Sequence, residues 1–268
     1  MPVHVLPLRT PTLLPATHTN LVMIASEGEA LLIEPATPYE DERERMRAFL
    51  DDHARAGTRV TAIALTHHHP DHVGAASWLR EALDVPLLAH PMTRERLEGA
   101  VAIDRTIEGG ETLRVGALSI DLVHTPGHAP GHVCFLDRST RTLVAGDMVA
   151  GTGTILVEKT DGDMGLYLRS LEHMQTLGAE HLVPAHGPTL GPEVLPRYVA
   201  HRRAREAKIV DALRSLGGAA TIDNIVPIAY ADTPPAVWPI AALSTEAHLL
   251  DLARRQQVGQ DGARWALA

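Results

Sequence analysis

The sequence predicts an α/β fold, two sheets packed face to face with helices outside, followed by a small helical domain at the C-terminus. Three observations lead there. Strands and helices alternate up to about residue 100, a second strand-rich stretch fills residues 111–149, and beyond residue 194 the chain turns helical. Two halves that each carry amphipathic strands and helices bury their apolar faces best as stacked layers.

Residues 19–34 read as a hairpin with its turn at Glu27-Gly28, and Tyr39 to Ala56 as a charged amphipathic helix. The β-branched run Val60 to Leu65 reads as a buried strand, residues 72–83 as a helix and 85–90 as another short strand. Turns at Gly116, Gly127 and Asp137 to Ser139 punctuate the strand-rich stretch, after which come a helix at 164–177 and a strand His181 to Val183. In the tail, residues 198–217 form a basic helix, residues 221–231 a shorter one capped by Thr221, and a third begins at Ala236 before a hairpin ending in Trp265. Three helices and a hairpin look like a winged helix. The expected domains are residues 1–194, carrying the chemistry, and residues 195–268, the winged-helix-like part.

Composition bounds the function. At 268 residues the chain can bury a sizeable core, and no run approaches a membrane span. Met1-Pro2-Val3-His4 lacks the basic start and apolar core of a secretory signal, so a cytoplasmic location is expected. Cys134 is the only cysteine, which excludes an internal disulfide and leaves any metal to histidine and carboxylate. The net charge of −9 argues against strong nonspecific nucleic-acid binding. That charge is uneven: residues 1–194 carry 15 basic and 26 acidic groups, residues 195–268 carry 9 and 7.

The stretch "LTHHHPDHVGA", residues 65–75, places four histidines and an aspartate in six positions at the end of a strand. Side chains two apart in an extended chain project together, so His67 and His69 converge while His68 points elsewhere. Pro70 keeps His69 extended and opens a helix, from whose first turn Asp71 and His72 emerge. Imidazole and carboxylate suit borderline metals at roughly 2.0–2.2 Å, and two convergent pairs suit two ions. Three further strand ends carry ligand-type residues: His128 in "HTPGHAPGH", Asp147 in "AGDMV" and His186 in "VPAHG". One alone would read as a turn residue; four strand ends together read as a site.

In these positions the chain resembles the metallo-β-lactamase superfamily, whose pattern is THxHxDH followed by a histidine, an aspartate and a final histidine. His67, His69, Asp71, His72, His128, Asp147 and His186 stand in that order. The resemblance spans about residues 13–190 and implies an αββα sandwich. It also implies one metal held by His67, His69 and His128, a second by Asp71, His72 and His186, and Asp147 bridging them. The tail, with "HRxxRE" at the join, extends the resemblance to the lactamase-β-like-protein branch, which includes a single-stranded-RNA endoribonuclease and thioesterases acting on acyl carriers. Glu34 departs from the aspartate usual before Pro35, and that puts the support of the histidine loop in question.

The function expected is a dinuclear zinc-dependent hydrolase using a metal-bridging hydroxide, acting on an ester or thioester. Two Zn2+ per chain are expected, with manganese or iron as substitutes, and Asp71 is the catalytic carboxylate. Such a site keeps a net charge of about +1, which favours an electrophile that turns anionic on attack. No GxSxG elbow is present, and Cys134 lies in an apolar strand. Lys159 and Tyr167, and a cationic strip of Arg202 and Arg205 on the basic helix, are the candidate substrate contacts. The expected partner is a small-molecule or carrier-bound acyl substrate, with no membrane and a homodimer allowed. The alternative is a single-stranded RNA endonuclease on the same metals. An iron-dependent persulfide dioxygenase ranks below it, because His72 completes the second site, and a DNA-binding regulator ranks lower still.

Overall fold

The computed structural model describes residues 3–268. Met1 and Pro2, part of the stretch read against a secretory signal, lie outside the described residues. The chain divides into two compact units. Among the described residues the first comprises 3–125, 130–155 and 177–192, and the second 126–129, 156–176 and 193–268. The division in the tail thus falls at 192/193, and two inner segments join the C-terminal part that the sequence reading confined to residues 195–268.

The first unit holds two sheets. Val3–Arg9, His18–Ser26, Glu29–Ile33, Arg59–Ala64, Leu87–Ala89 and Arg105–Thr106 make a six-stranded sheet in chain order. Its first two pairings are antiparallel and its last three parallel. The second sheet has five strands, with His181–Pro184 at one edge, then Thr142–Gly146, Val133–Asp137 and Leu118–His124, and Thr112–Val115 at the other. The period of two along each strand separates the core into layers. Val22, Ile24, Leu31 and Ile33 pack with Leu122, Phe135, Val144 and Val183 between the sheets. Their neighbours Leu21, Met23 and Leu32 face the other way, onto Met46 and Leu50 of the helix Glu40–Arg55 and Leu79 of the helix Ala76–Leu83. Burying each such side chain contributes roughly 1.5–3 kcal/mol.

The expected hairpin forms, with Glu27 at φ 49° and Gly28 at φ 80°. Two positive φ values match the two-residue turn that follows strand twist. The helix expected over residues 72–83 is instead broken into Pro70–Val73 and Ala76–Leu83. A Cβ on Gly74 would lie 2.5 Å from the Ala36 carbonyl oxygen, and the Ala75 N–H donates to Pro35 O at 2.8 Å. The backbone bond that would continue the helix goes to the neighbouring loop, and the chain turns there.

In the second unit, helices Val194–Ser215, Ile222–Ala229 and Trp238–Arg254 enclose a core of Ile209, Leu213, Ile225, Leu249, Leu252 and Trp265. Three strands complete it, with Arg264–Leu267 between Ala219–Thr221 and Val258–Asp261. Thr221 occupies the N-cap position as expected, but its side chain makes no capping hydrogen bond. The helix Met164–Gln175 also belongs to this unit. No helix among the described residues is long and apolar enough to cross a membrane.

Candidate metal centre

The strand Arg59–Ala64 runs parallel to Glu29–Ile33, so both end at the same edge of the sheet. Glu34 and Thr66 therefore meet there. Glu34 is buried, with φ 67°, and its Oε1 accepts the Thr66 N–H at 2.7 Å while Oε2 accepts from His72 Nδ1. This answers the question raised by the glutamate: the longer side chain still holds the histidine loop, and from both ends. Thr66 Oγ1 lies 2.9 Å from His67 Nδ1. His67 Nε2 and His69 Nδ1 are 2.9 Å apart, the convergence expected of side chains two apart in extended chain.

Asp71 and His72 occupy the first turn of Pro70–Val73. With Nδ1 donating to Glu34, Nε2 is the ring atom left to face a metal once its proton is displaced; it is buried, with no hydrogen-bond partner among the described residues. That atom lies 3.8 Å from Asp71 Oδ1 and 3.6 Å from Asp147 Oδ2. His186 Nε2 lies 3.6 Å from Asp71 Oδ2 and 3.4 Å from Asp147 Oδ1, and His186 Nδ1 donates to His18 O at 2.9 Å. Ligands held by one tetrahedral ion at 2.0–2.2 Å stand roughly 3.3–3.6 Å apart, which is close to this spacing. The donor set therefore fits a metal ion.

Charges at the cluster are coupled. Burial alone would push the His72 pKa down, but Glu34 and Asp147 hold it well above the usual histidine range. His186 is likewise raised against its burial by Asp147. Burial would raise Asp147, yet His72 and His186 hold it well below the ordinary carboxylate range. The strand Thr142–Gly146 delivers Asp147, whose N–H donates to His132 Nε2 at 3.1 Å, and His132 Nδ1 lies 2.8 Å from Thr125 Oγ1. Gly146, at φ +49°, permits this approach, because a Cβ there would stand 2.5 Å from His132 Nε2.

His128 lies on the four-residue segment 126–129 that belongs to the second unit. It is buried, and its Nδ1 donates to Leu156 O at 2.8 Å, leaving Nε2 as the lone-pair atom.

A family model described as the metallo-beta-lactamase superfamily matches residues 14–186. The chain belongs to the metallo-beta-lactamase superfamily. A second model, the beta-lactamase associated winged helix domain, matches residues 221–265. The Caenorhabditis elegans beta-lactamase-like protein 2 homolog is 30% identical over 84% of this chain and 75% of its own length. The atrochrysone carboxyl ACP thioesterase AgnL7 of Paecilomyces divaricatus is 30% identical over 73% of this chain, which spans only 59% of that relative. The crystal structure of a metallo-beta-lactamase family protein from Thermus thermophilus superposes with a TM-score of 0.81 at 24% identity, covering 100% of this chain and 99% of the other. The molecule is thus a metallo-beta-lactamase superfamily hydrolase joined to a winged helix, with a His/Asp cluster suited to metal.

Other residues singled out in the sequence have different surroundings. Arg202 and Arg205 do share a helix face, but it is the buried one, at 5% and 7% exposure. Arg202 stacks over the Tyr167 ring, while Arg205 donates to Ala229 O and pairs with Asp232 at 3.0 Å over the Tyr230 ring. The two guanidiniums of the expected cationic strip are thus packed within the second unit. Tyr167 is fully buried, and Lys159 is exposed but ion-paired with Glu246 at 2.9 Å. Cys134 is buried, which pushes its thiol up to about 12 despite the Thr125 hydroxyl 3.2 Å away. Sequence reasoning took His132 as a supporting or structural histidine without naming its partners, and gave Asn20 no role. Asn20 Nδ2 donates to Pro184 O and Gly187 O, at 2.9 and 2.8 Å, and so fastens the loop of His186. The signal for Asn20 was a lone amide inside an apolar strand, and for His132 its place four residues after His128, directly behind the Pro130-Gly131 turn.

Proposed function

We propose that the protein is a dinuclear zinc hydrolase acting on an ester or thioester, with a carrier-bound or small acyl group as substrate. One observation carries the reading: two carboxylates and two imidazoles converge at 3.4–3.8 Å, and His72 Nε2 is buried there with no hydrogen-bond partner among the described residues. Asp71, His72 and His186 would hold one ion, and Asp147 would be shared with the other. By the family pattern, the second ion would fall to His67 and His69, with His128 as the third residue of that pattern. When bound, the metal pair supplies Lewis acidity that makes water nucleophilic near neutral pH and balances charge on the attacked carbonyl oxygen.

The chain's own groups do the rest. Glu34, His18 O and Leu156 O each accept a hydrogen bond from an Nδ1–H, so that His72, His186 and His128 would offer Nε2 in fixed orientations. Asp71, with 16% of its side chain exposed, takes the proton of the attacking water and returns it to the leaving alkoxide or thiolate. The deeply buried Cys134 thiol is no nucleophile at neutral pH.

The thioester preference is supported by the thioesterase relative. Cleavage of single-stranded RNA has less support, because Arg202 and Arg205 are buried in the second unit. The test is turnover of a thioester, an ester, a lactone and single-stranded RNA by the zinc-loaded protein, with Asp71→Ala as control. Thioester or ester hydrolysis lost in Asp71→Ala is expected. RNA cleavage that requires Asp71, with no acyl hydrolysis, would overturn the reading.

A further inference from the structure

We propose that the last helix of the winged-helix domain positions His128: the end of Trp238–Arg254 braces the first turn of Met164–Gln175, and that turn grips the loop carrying His128. The inference rests on the reading of His128 as a metal ligand. It concerns contacts made entirely within the second unit.

Three bonds fix the loop. Ser170 Oγ donates to Pro126 O at 2.7 Å, the Asp163 N–H donates to Gly127 O at 2.8 Å, and His128 Nδ1 donates to Leu156 O. The helix also presses directly on the loop. Gly127 has φ +130°, and a Cβ there would stand 2.1 Å from the Tyr167 nitrogen, so loop and first turn are in backbone contact.

Asp163 is the joint between loop and brace. It caps the helix, its Oδ1 accepting the Leu166 N–H at 2.8 Å, and its carboxylate takes both terminal nitrogens of Arg254. Burial would raise the Asp163 pKa, but Arg254 holds it below the usual carboxylate range, so the pair is ionic near neutrality. One turn earlier, Asp251 leans on Gly165, where a Cβ would meet its Oδ1 at 2.3 Å, and Asp251 is itself held by Arg255 at 2.9 Å. Lys159 adds a second tie, to Glu246 of the same helix. A residue that neither touches substrate nor binds metal thereby sets where a ligand stands, as outer groups do around metal sites generally.

The test is zinc titration of the metal-free, full-length protein against a chromophoric chelator, which reads two binding constants. His128→Ala identifies the constant that depends on His128. Arg254→Ala is expected to weaken that constant about tenfold and leave the other unchanged, with Arg254→Lys restoring most of the loss. Asp163→Asn, which keeps an oxygen for the cap but not the charge, is expected to behave as Arg254→Ala does. When Arg254 is truncated Asp163 keeps the Leu166 N–H and Asp251 keeps Arg255, so the Tm of the metal-free variant should stay near wild type. Wild-type constants in Arg254→Ala and Asp163→Asn, or a lowered metal-free Tm as the only change, would overturn the proposal. Two unaltered constants in His128→Ala would remove the ligand reading and the proposal with it.

Discussion

Glu34 serves two groups with one carboxylate: Oε1 receives the backbone of Thr66 and Oε2 receives His72 Nδ1. Removing it frees the histidine loop and lets the His72 ring choose its tautomer, so Glu34→Ala should weaken metal binding about 10–100-fold, read by chelator competition. The same pair sets a pH dependence. His72 and His186 are raised above the usual histidine range in the metal-free protein, so a metal must displace their protons. Affinity should therefore rise with pH until those raised values are passed, and in Glu34→Ala the rise should be complete at lower pH. An affinity flat in pH would contradict this assignment. At this scale the site was legible because ligand chemistry is written in residue type and order. The role of Glu34 was not, since whether a longer side chain still reaches its partners depends on where two strand ends meet.

Helices and strands were legible where one face is buried and the period is clean, as in Glu40–Arg55 or the hairpin at Glu27-Gly28. The edge strand Val3–Arg9 buries little and gave no signal, and the break after Val73 came from a contact of Gly74 with a distant loop. Arg202 and Arg205 show the converse limit: their spacing gave a shared face, but only Tyr167 and Asp232 reveal that it points inward. Arg205→Ala should cost about 2 kcal/mol through lost charged hydrogen bonds, seen in denaturant unfolding, without changing KM. A raised KM at unchanged stability would restore the substrate strip. The short helix Pro91–Arg96 offers a pH test. His90 caps it, its Nδ1 accepting the Met92 N–H at 3.2 Å, and burial followed by the nearby His124 lowers its pKa to about 4. The folded value lies below the ordinary 6.5, so the unfolded chain binds the proton better and stability falls as pH drops from about 6.5 towards 4. His90→Asn keeps a capping oxygen and removes the titration, so the Tm of the variant should fall less over that window. An unchanged slope would assign the acid sensitivity to other groups.

Across the whole molecule, the division of labour follows from where polar groups are left to act. The first unit gathers Glu34, His67, His69, Asp71, His72, Asp147 and His186 at the ends of strands whose cores are apolar. The second unit carries His128 on a short segment and otherwise turns its charged residues toward one another, in pairs such as Arg254 with Asp163, Lys208 with Asp232 and Arg255 with Glu206. A change of charge sign near residue 195 was visible in the sequence, but its use in internal pairing was not, because net charge says nothing of partners. The central proposal is that His67, His69, Asp71, His72, Asp147 and His186 of the first unit would serve two metal ions, with Asp147 shared between them. Elemental analysis of the zinc-loaded protein and of Asp147→Ala tests it most directly. Close to two metals per chain are expected in the wild type, with both sites weakened together in the variant; a single tightly held ion, or two ions retained in Asp147→Ala, would contradict the account.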